Sequence, residues 1–89
     1  MCRTFNRPVI DMAATALKIK TLRKQSGYTV RDIQSIFGFA NAQAIYNWES
    51  GACIPTIDNL LILASIFDVN IEDMIITRYV EITYEVKSA

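Results

Sequence analysis

Gln43 and Asn47 stand four residues apart in the stretch GFANAQAIYNWESG, which runs from Gly38 to Gly51. On a helix that spacing puts two amides on one face. Each amide sets a donor beside an acceptor, the pattern that complements adenine N6 and N7 in a DNA major groove. Asn41 is the expected cap of this helix, and the glycines mark its turn and its stop. Ile45 and Trp48, three residues apart, would anchor its other side to a core. A short helix so anchored, with amides turned outward over about residues 41–49, has the plan of a DNA recognition helix. Exposed amides are also common on ordinary amphipathic helices, so the rest of the chain has to decide.

The elements that must position this helix are legible from punctuation. Asp11 caps a first helix, MAATALKIKTLRKQ, with Met12, Thr15 or Ala16, Ile19 and Leu22 at helical spacing and Gly27 as its stop. Thr29 opens VRDIQSIF, where Asp32 completes a capping-box pair and Ile33 and Phe37 form the inner stripe. Pro55 and Thr56 open IDNLLILASIF, whose Leu60, Leu61, Leu63, Ala64 and Phe67 predict the most buried element. Asn70 caps a last short helix, IEDMII. After Thr77 the pattern changes to strict alternation, with Val80, Ile82, Tyr84 and Val86 on one face and Tyr79, Glu81, Thr83 and Glu85 on the other. The N-terminal RTFNRPVI also reads as extended, with Pro8 confining it to an edge. The two segments are expected either to pair with each other or to leave the C-terminal strand to pair with its copy in a second subunit. The expected class is therefore all-α, a compact five-helix domain with short extended or β segments at both termini. Its divisions are an N-terminal arm or edge strand over 1–11, the helical domain over 12–76, and a C-terminal strand or tail over 77–89.

Composition narrows the function. The chain has 89 residues, and 52% of them are hydrophobic, so some apolar surface is expected to be left for a partner. No apolar run is long enough to span a membrane, and MCRTFNRPVIDM lacks the features of a signal peptide. Cys2 and Cys53 have no CxxC spacing and there is no histidine, which argues against a zinc site or a disulfide framework and points to a reducing cytoplasm. No residues are arranged for acid–base or nucleophilic work, so no enzyme, metal or cofactor is expected. The formal net charge is zero, but it is divided unevenly. Residues 1–48 carry seven cations against two carboxylates, and residues 49–89 carry two against seven. Such asymmetry suggests a basic face for a polyanion and an acidic face turned away from it.

With these residues in place, the chain resembles the Cro and phage-repressor (Xre-like) family of helix-turn-helix regulators over about Thr15 to Ile76. KIKTLRKQSGYTVRDI is similar to the family's first helix, turn and second-helix start, AIYNWESG to the end of its recognition helix, and IPTIDNLLILASIFDVNIEDMI to its last two helices. The resemblance implies a repressor-like helix-turn-helix domain in which Arg23 and Glu49 form a structural pair. It implies base readout by Gln43, then Asn47, with Ala42 and Ala44 limited to apolar contact. It implies DNA-backbone contact by Asn41, Tyr46, Val30, Arg31 and Lys20. The chain also departs from the family. Val30 replaces a glutamine, so only its main-chain N–H can serve. Gln34 stands where a small residue is usual, the turn FANA is one residue longer than the usual turn, and SGACIPT lacks the usual cations.

Two functional classes follow. The first is a sequence-specific regulator of transcription that binds double-stranded DNA, at a palindromic operator, as a homodimer. The second is a protein-interaction module on the same fold, with an unknown protein partner and little or no DNA binding. Amides in the recognition helix and cations on the first helix favour the first. The neutral charge and the bare loop after Gly51 favour the second.

Overall fold

The computed structural model describes residues 1–87 as a strand, five helices and a second strand: β1 (Cys2–Ile10), α1 (Met12–Gln25), α2 (Val30–Phe37), α3 (Gln43–Ser50), α4 (Ile57–Phe67), α5 (Ile71–Met74) and β2 (Thr77–Glu85). Local chemistry accounts for the helix starts. The Asp11 side chain accepts from Ala14 N at 3.0 Å, Thr29 and Asp32 form a reciprocal capping box, and Thr56 Oγ1 accepts from Asn59 N. Gly51 ends α3 in the left-handed region at φ 83°, and a Cβ there would lie in ordinary contact with the start of α1, 3.6 Å from the carbonyl oxygen of Met12. A side chain would be strained by the backbone conformation alone.

The helices close around Ile19, Leu22, Ile33, Ile45, Trp48, Leu60, Leu63, Ala64, Phe67 and Met74, with Phe37 packed at the margin. Two residues expected inside are outside: Met12 and Leu61 are exposed. Leu61 follows Leu60 by one residue, a rotation of about 100° that carries it off the inner stripe.

The all-α class expected from the sequence is corrected by the terminal segments. They form a two-stranded antiparallel sheet of nine residues each, so the fold is mixed, a helical body with a β arm. The register pairs Cys2 with Glu85 and Ile10 with Thr77, with Phe5 opposite Ile82, and Val86 N donates to the carbonyl of Met1 beyond the ladder. This is pairing within one chain. Buried Thr15 fixes the base of the arm, since its hydroxyl accepts from Ile76 N at 3.0 Å while Asp11 N donates to the carbonyl of Ile76 at 2.8 Å. The molecule measures 54 × 24 × 21 Å, so the arm stands out from the body along the long axis. The helical period in residues 12–76 dominates the sequence signal, whereas the pairing joins segments some 70 residues apart and has no local signature. Of the tail expected to residue 89, the last two residues lie outside the described ones. No helix among the described residues is long and apolar enough to cross a membrane.

Candidate nucleic-acid interface

The seat of α3 is built from an ion pair and an aromatic cluster. Arg23 on α1 meets Glu49 on α3 at two points, Nε to Oε2 at 2.7 Å and Nη2 to Oε1 at 2.9 Å. Its Nη1 also donates to the carbonyl of Tyr28 at 3.0 Å, so one guanidinium ties α1, the turn before α2, and α3 together. The two side chains are only 10% and 7% exposed. Hydrogen bonding to Glu49 raises the Arg23 pKa above its already high ordinary value, more than burial lowers it, and the cation is retained. Phe37 and Phe39 stack with centroids 5.1 Å apart, and Trp48 meets both edge-on at 5.4 and 5.9 Å. Phe39 thereby anchors the long turn to α3. Gln34 folds back over that turn, donating from Nε2 to the carbonyl of Phe39 at 3.3 Å.

On the outer side, Gln43 is exposed and Asn47 half-buried, and Gln43 Nε2 donates to Asn47 Oδ1 at 2.9 Å. The helix begins later than the sequence suggests. Gln43 is its first residue, and the capping position is held by Ala42, which has no side-chain oxygen to offer. Asn41 serves from one residue further out, its Oδ1 accepting from Gln43 N at 3.0 Å. Ala42 and Ala44 are half-buried, as Asn47 is, and Ala44 packs against the core.

Beside this face lies an open cleft of about 490 Å³, lined by Lys20, Arg23, Lys24, Val30, Tyr46, Glu49 and Ser50. It gathers three of the residues to which the family resemblance gave backbone roles, Lys20, Val30 and Tyr46. Arg31 is exposed but does not line it. Since Arg23 and Glu49 neutralise each other, the free cations of the cleft are Lys20 and Lys24. Lys24 has no role in the family resemblance and joins the cleft through its place on α1. Its spacing of four from Lys20 on one helix was the available signal. Among the described residues no group of His, Cys, Asp or Glu could hold a metal ion.

A family model described as a helix-turn-helix domain matches residues 17–81, most of the chain. Three solved structures share the fold. The restriction-modification controller protein C.AhdI from Aeromonas hydrophila aligns at 19% identity with a TM-score of 0.63, over 72% of this chain and 96% of its own. The DNA-binding domain of BldD aligns at 20% identity with a TM-score of 0.61, over 72% and 92%. The S. venezulae BldD DNA-binding domain gives 20%, 0.61, 72% and 94%. No curated protein matches the sequence.

Proposed function

Because this chain belongs to the helix-turn-helix family, we propose that it binds double-stranded DNA as a regulator of transcription, with α3 in the major groove, and works as a homodimer on a palindromic operator. The observation that carries this reading is the pair of outward amides, Gln43 and Asn47, beside a cleft whose free cations are lysines. The BldD fragments are DNA-binding domains by name, which supports the same activity for this fold here.

The mechanism divides between bases and backbone. With Gln43 Nε2 engaged by Asn47 Oδ1, the Gln43 carbonyl oxygen remains as an acceptor and the Asn47 amide nitrogen as a donor. Adenine offers the complement, N6 donating and N7 accepting. Lys20 and Lys24 supply charge for phosphate, the Tyr46 hydroxyl a hydrogen bond, and the Val30 main-chain N–H the positive end of α2. Arg31 and Asn41, both exposed, add further backbone contacts. Arg23 and Glu49 touch no DNA and hold α3 at its angle.

Few phosphates are neutralised by one copy, because the net charge is zero and residues 52–56 hold no cation. A two-fold dimer doubles both the phosphates and the bases read, with its recognition helices one DNA turn, about 34 Å, apart. In this division of labour residues 12–76 read DNA and the terminal strands serve assembly. The free thiols of Cys2 and Cys53, both exposed, suit a cytoplasmic setting.

Selection of bound duplexes from a random pool, repeated at two salt concentrations, tests the reading. A two-fold motif enriched at both salts is expected. No enrichment even at low salt would overturn DNA reading and favour the protein-interaction module.

A further inference from the structure

We propose that the β arm is an exchange arm: its arginine-bearing apolar face docks on the outer face of α4 in a second copy of this chain, and the second copy's arm does the same in return. This rests on the dimeric reading above and names its surfaces.

The ladder register sorts the arm into two unlike faces. Phe5 lies opposite Ile82, Arg7 opposite Val80, Arg3 opposite Tyr84 and Val9 opposite Arg78. Residues paired in an antiparallel ladder share a face, so three arginines and five apolar or aromatic residues stand together without a carboxylate. Glu81 and Glu85 alternate onto the other face, among threonines, Asn6, Pro8, Tyr79 and Ile10. On the basic face Phe5 is 50% and Tyr84 43% exposed, while Val9, Val80 and Ile82 are half-buried. A two-stranded ribbon with nothing packed on it is marginal in water. The arm projects from the body, so it cannot lie back on its own helices without leaving the observed geometry.

The body carries the complement. On α4, Asp58 stands three and four residues before Leu61 and Ile62, which puts all three on one outward stripe. Ile57 is 73% and Leu61 56% exposed. Residues 52–76 contain Asp58, Asp68, Glu72 and Asp73 and not one lysine or arginine. An apolar surface of one sign on the arm and an apolar surface of the other sign on the body fit each other in both charge and chemistry.

Other self-contacts fit less well. Stacking two arms by their basic faces would bring six guanidinium groups together with no carboxylate. Pairing two arms edge to edge would leave the same faces uncovered. Exchange between two copies is self-complementary and closes, so it ends at the dimer. The ribbon is about 30 Å long and about 10 Å wide, and α4, with 11 residues, is about 16 Å long, so the contact runs over about half of the arm.

The test is complementation, read by sedimentation of the full chain at tens of micromolar without DNA. One variant reverses the arm (Arg3→Glu, Arg7→Glu, Arg78→Glu) and the other reverses the body (Asp58→Lys, Glu72→Lys). All five residues are exposed, and circular dichroism checks that the helices stay folded. Wild type is expected to be dimeric, and each variant alone should dissociate with a constant raised at least tenfold. An equal mixture should dimerise again, because each arm then meets a surface of opposite sign. Variants that remain dimeric alone, or a mixture that stays monomeric, would overturn the exchange. So would an arm variant that keeps its dimer and loses only affinity for DNA, which would make the arm a second DNA contact. Gln43→Ala should leave sedimentation unchanged, so a failed exchange is distinguishable from failed base reading.

Discussion

Gln43 donates from its side-chain nitrogen to the side-chain oxygen of Asn47 at 2.9 Å, so the two amides of α3 are coupled before any ligand arrives. The bond occupies one N–H of Gln43 and one lone pair of Asn47, and it leaves the Gln43 oxygen wholly free to accept and the Asn47 nitrogen wholly free to donate. Pre-organisation of this kind lowers the ordering cost of binding, since two flexible side chains are already held.

Gln43→Ala should relax preference at one base pair of each half-site, by about 1–3 kcal/mol of discrimination. Titration of matched and single-substitution duplexes measures it. Equal losses on specific and random DNA would remove Gln43 from base reading. Asn47→Ala should couple to it, with a double-mutant cycle departing from additivity by about 0.5–3 kcal/mol.

Replacing Lys20 or Lys24 with alanine should act differently. Each should weaken binding to all sequences alike and reduce the slope of log affinity against log salt by about 1. Affinities measured at several salt concentrations check this, and an unchanged slope would take the phosphate out of the cleft.

Trp48→Ala should destabilise the domain by about 3–5 kcal/mol, as for large aromatic residues in a core. The indole is 4% exposed and contacts both Phe37 and Phe39, so its loss should also loosen the turn before α3. Chemical denaturation of wild type and variant gives the difference.

Glu49→Ala leaves the Arg23 guanidinium buried without its partner, which should cost about 3–5 kcal/mol. The double variant Arg23→Met, Glu49→Leu should recover most of that stability, because it removes both charges together. A double variant as unstable as the single one would contradict the account of the pair.

Thr29 N–H and hydroxyl both hold the Asp32 carboxylate below its ordinary pKa. A folded value below the unfolded one means the cap of α2 stabilises above the ordinary carboxylate range, and this is lost as pH falls through the lowered value. A carboxyl-resolved NMR titration should find Asp32 with a midpoint below that of an unperturbed aspartate.

The helical body was legible in the sequence because its signals are local. Asp11, Thr29 and Thr56 announce helix starts by side-chain chemistry, and Ile45, Trp48, Leu60 and Leu63 keep helical spacing on their inner faces. The rest depends on distant contacts. The sequence left open whether the terminal strands pair within one chain or between subunits, Leu61 turns outward beside Leu60, and α3 starts at Gln43 after a long turn whose Phe39 joins the aromatic cluster. At the interface, the amides and Lys20 could be read from residue type and resemblance. The Gln43–Asn47 bond and the inclusion of Lys24 in the cleft depend on side-chain placement, and composition does not encode that.

The most direct test of base reading by α3 is one random-pool selection run in parallel with wild type and Gln43→Ala. The wild-type motif should be two-fold, with a strong adenine preference at one position of each half-site, and the variant should enrich the same motif with that position relaxed. Identical motifs from both proteins, or none from wild type, would contradict the account.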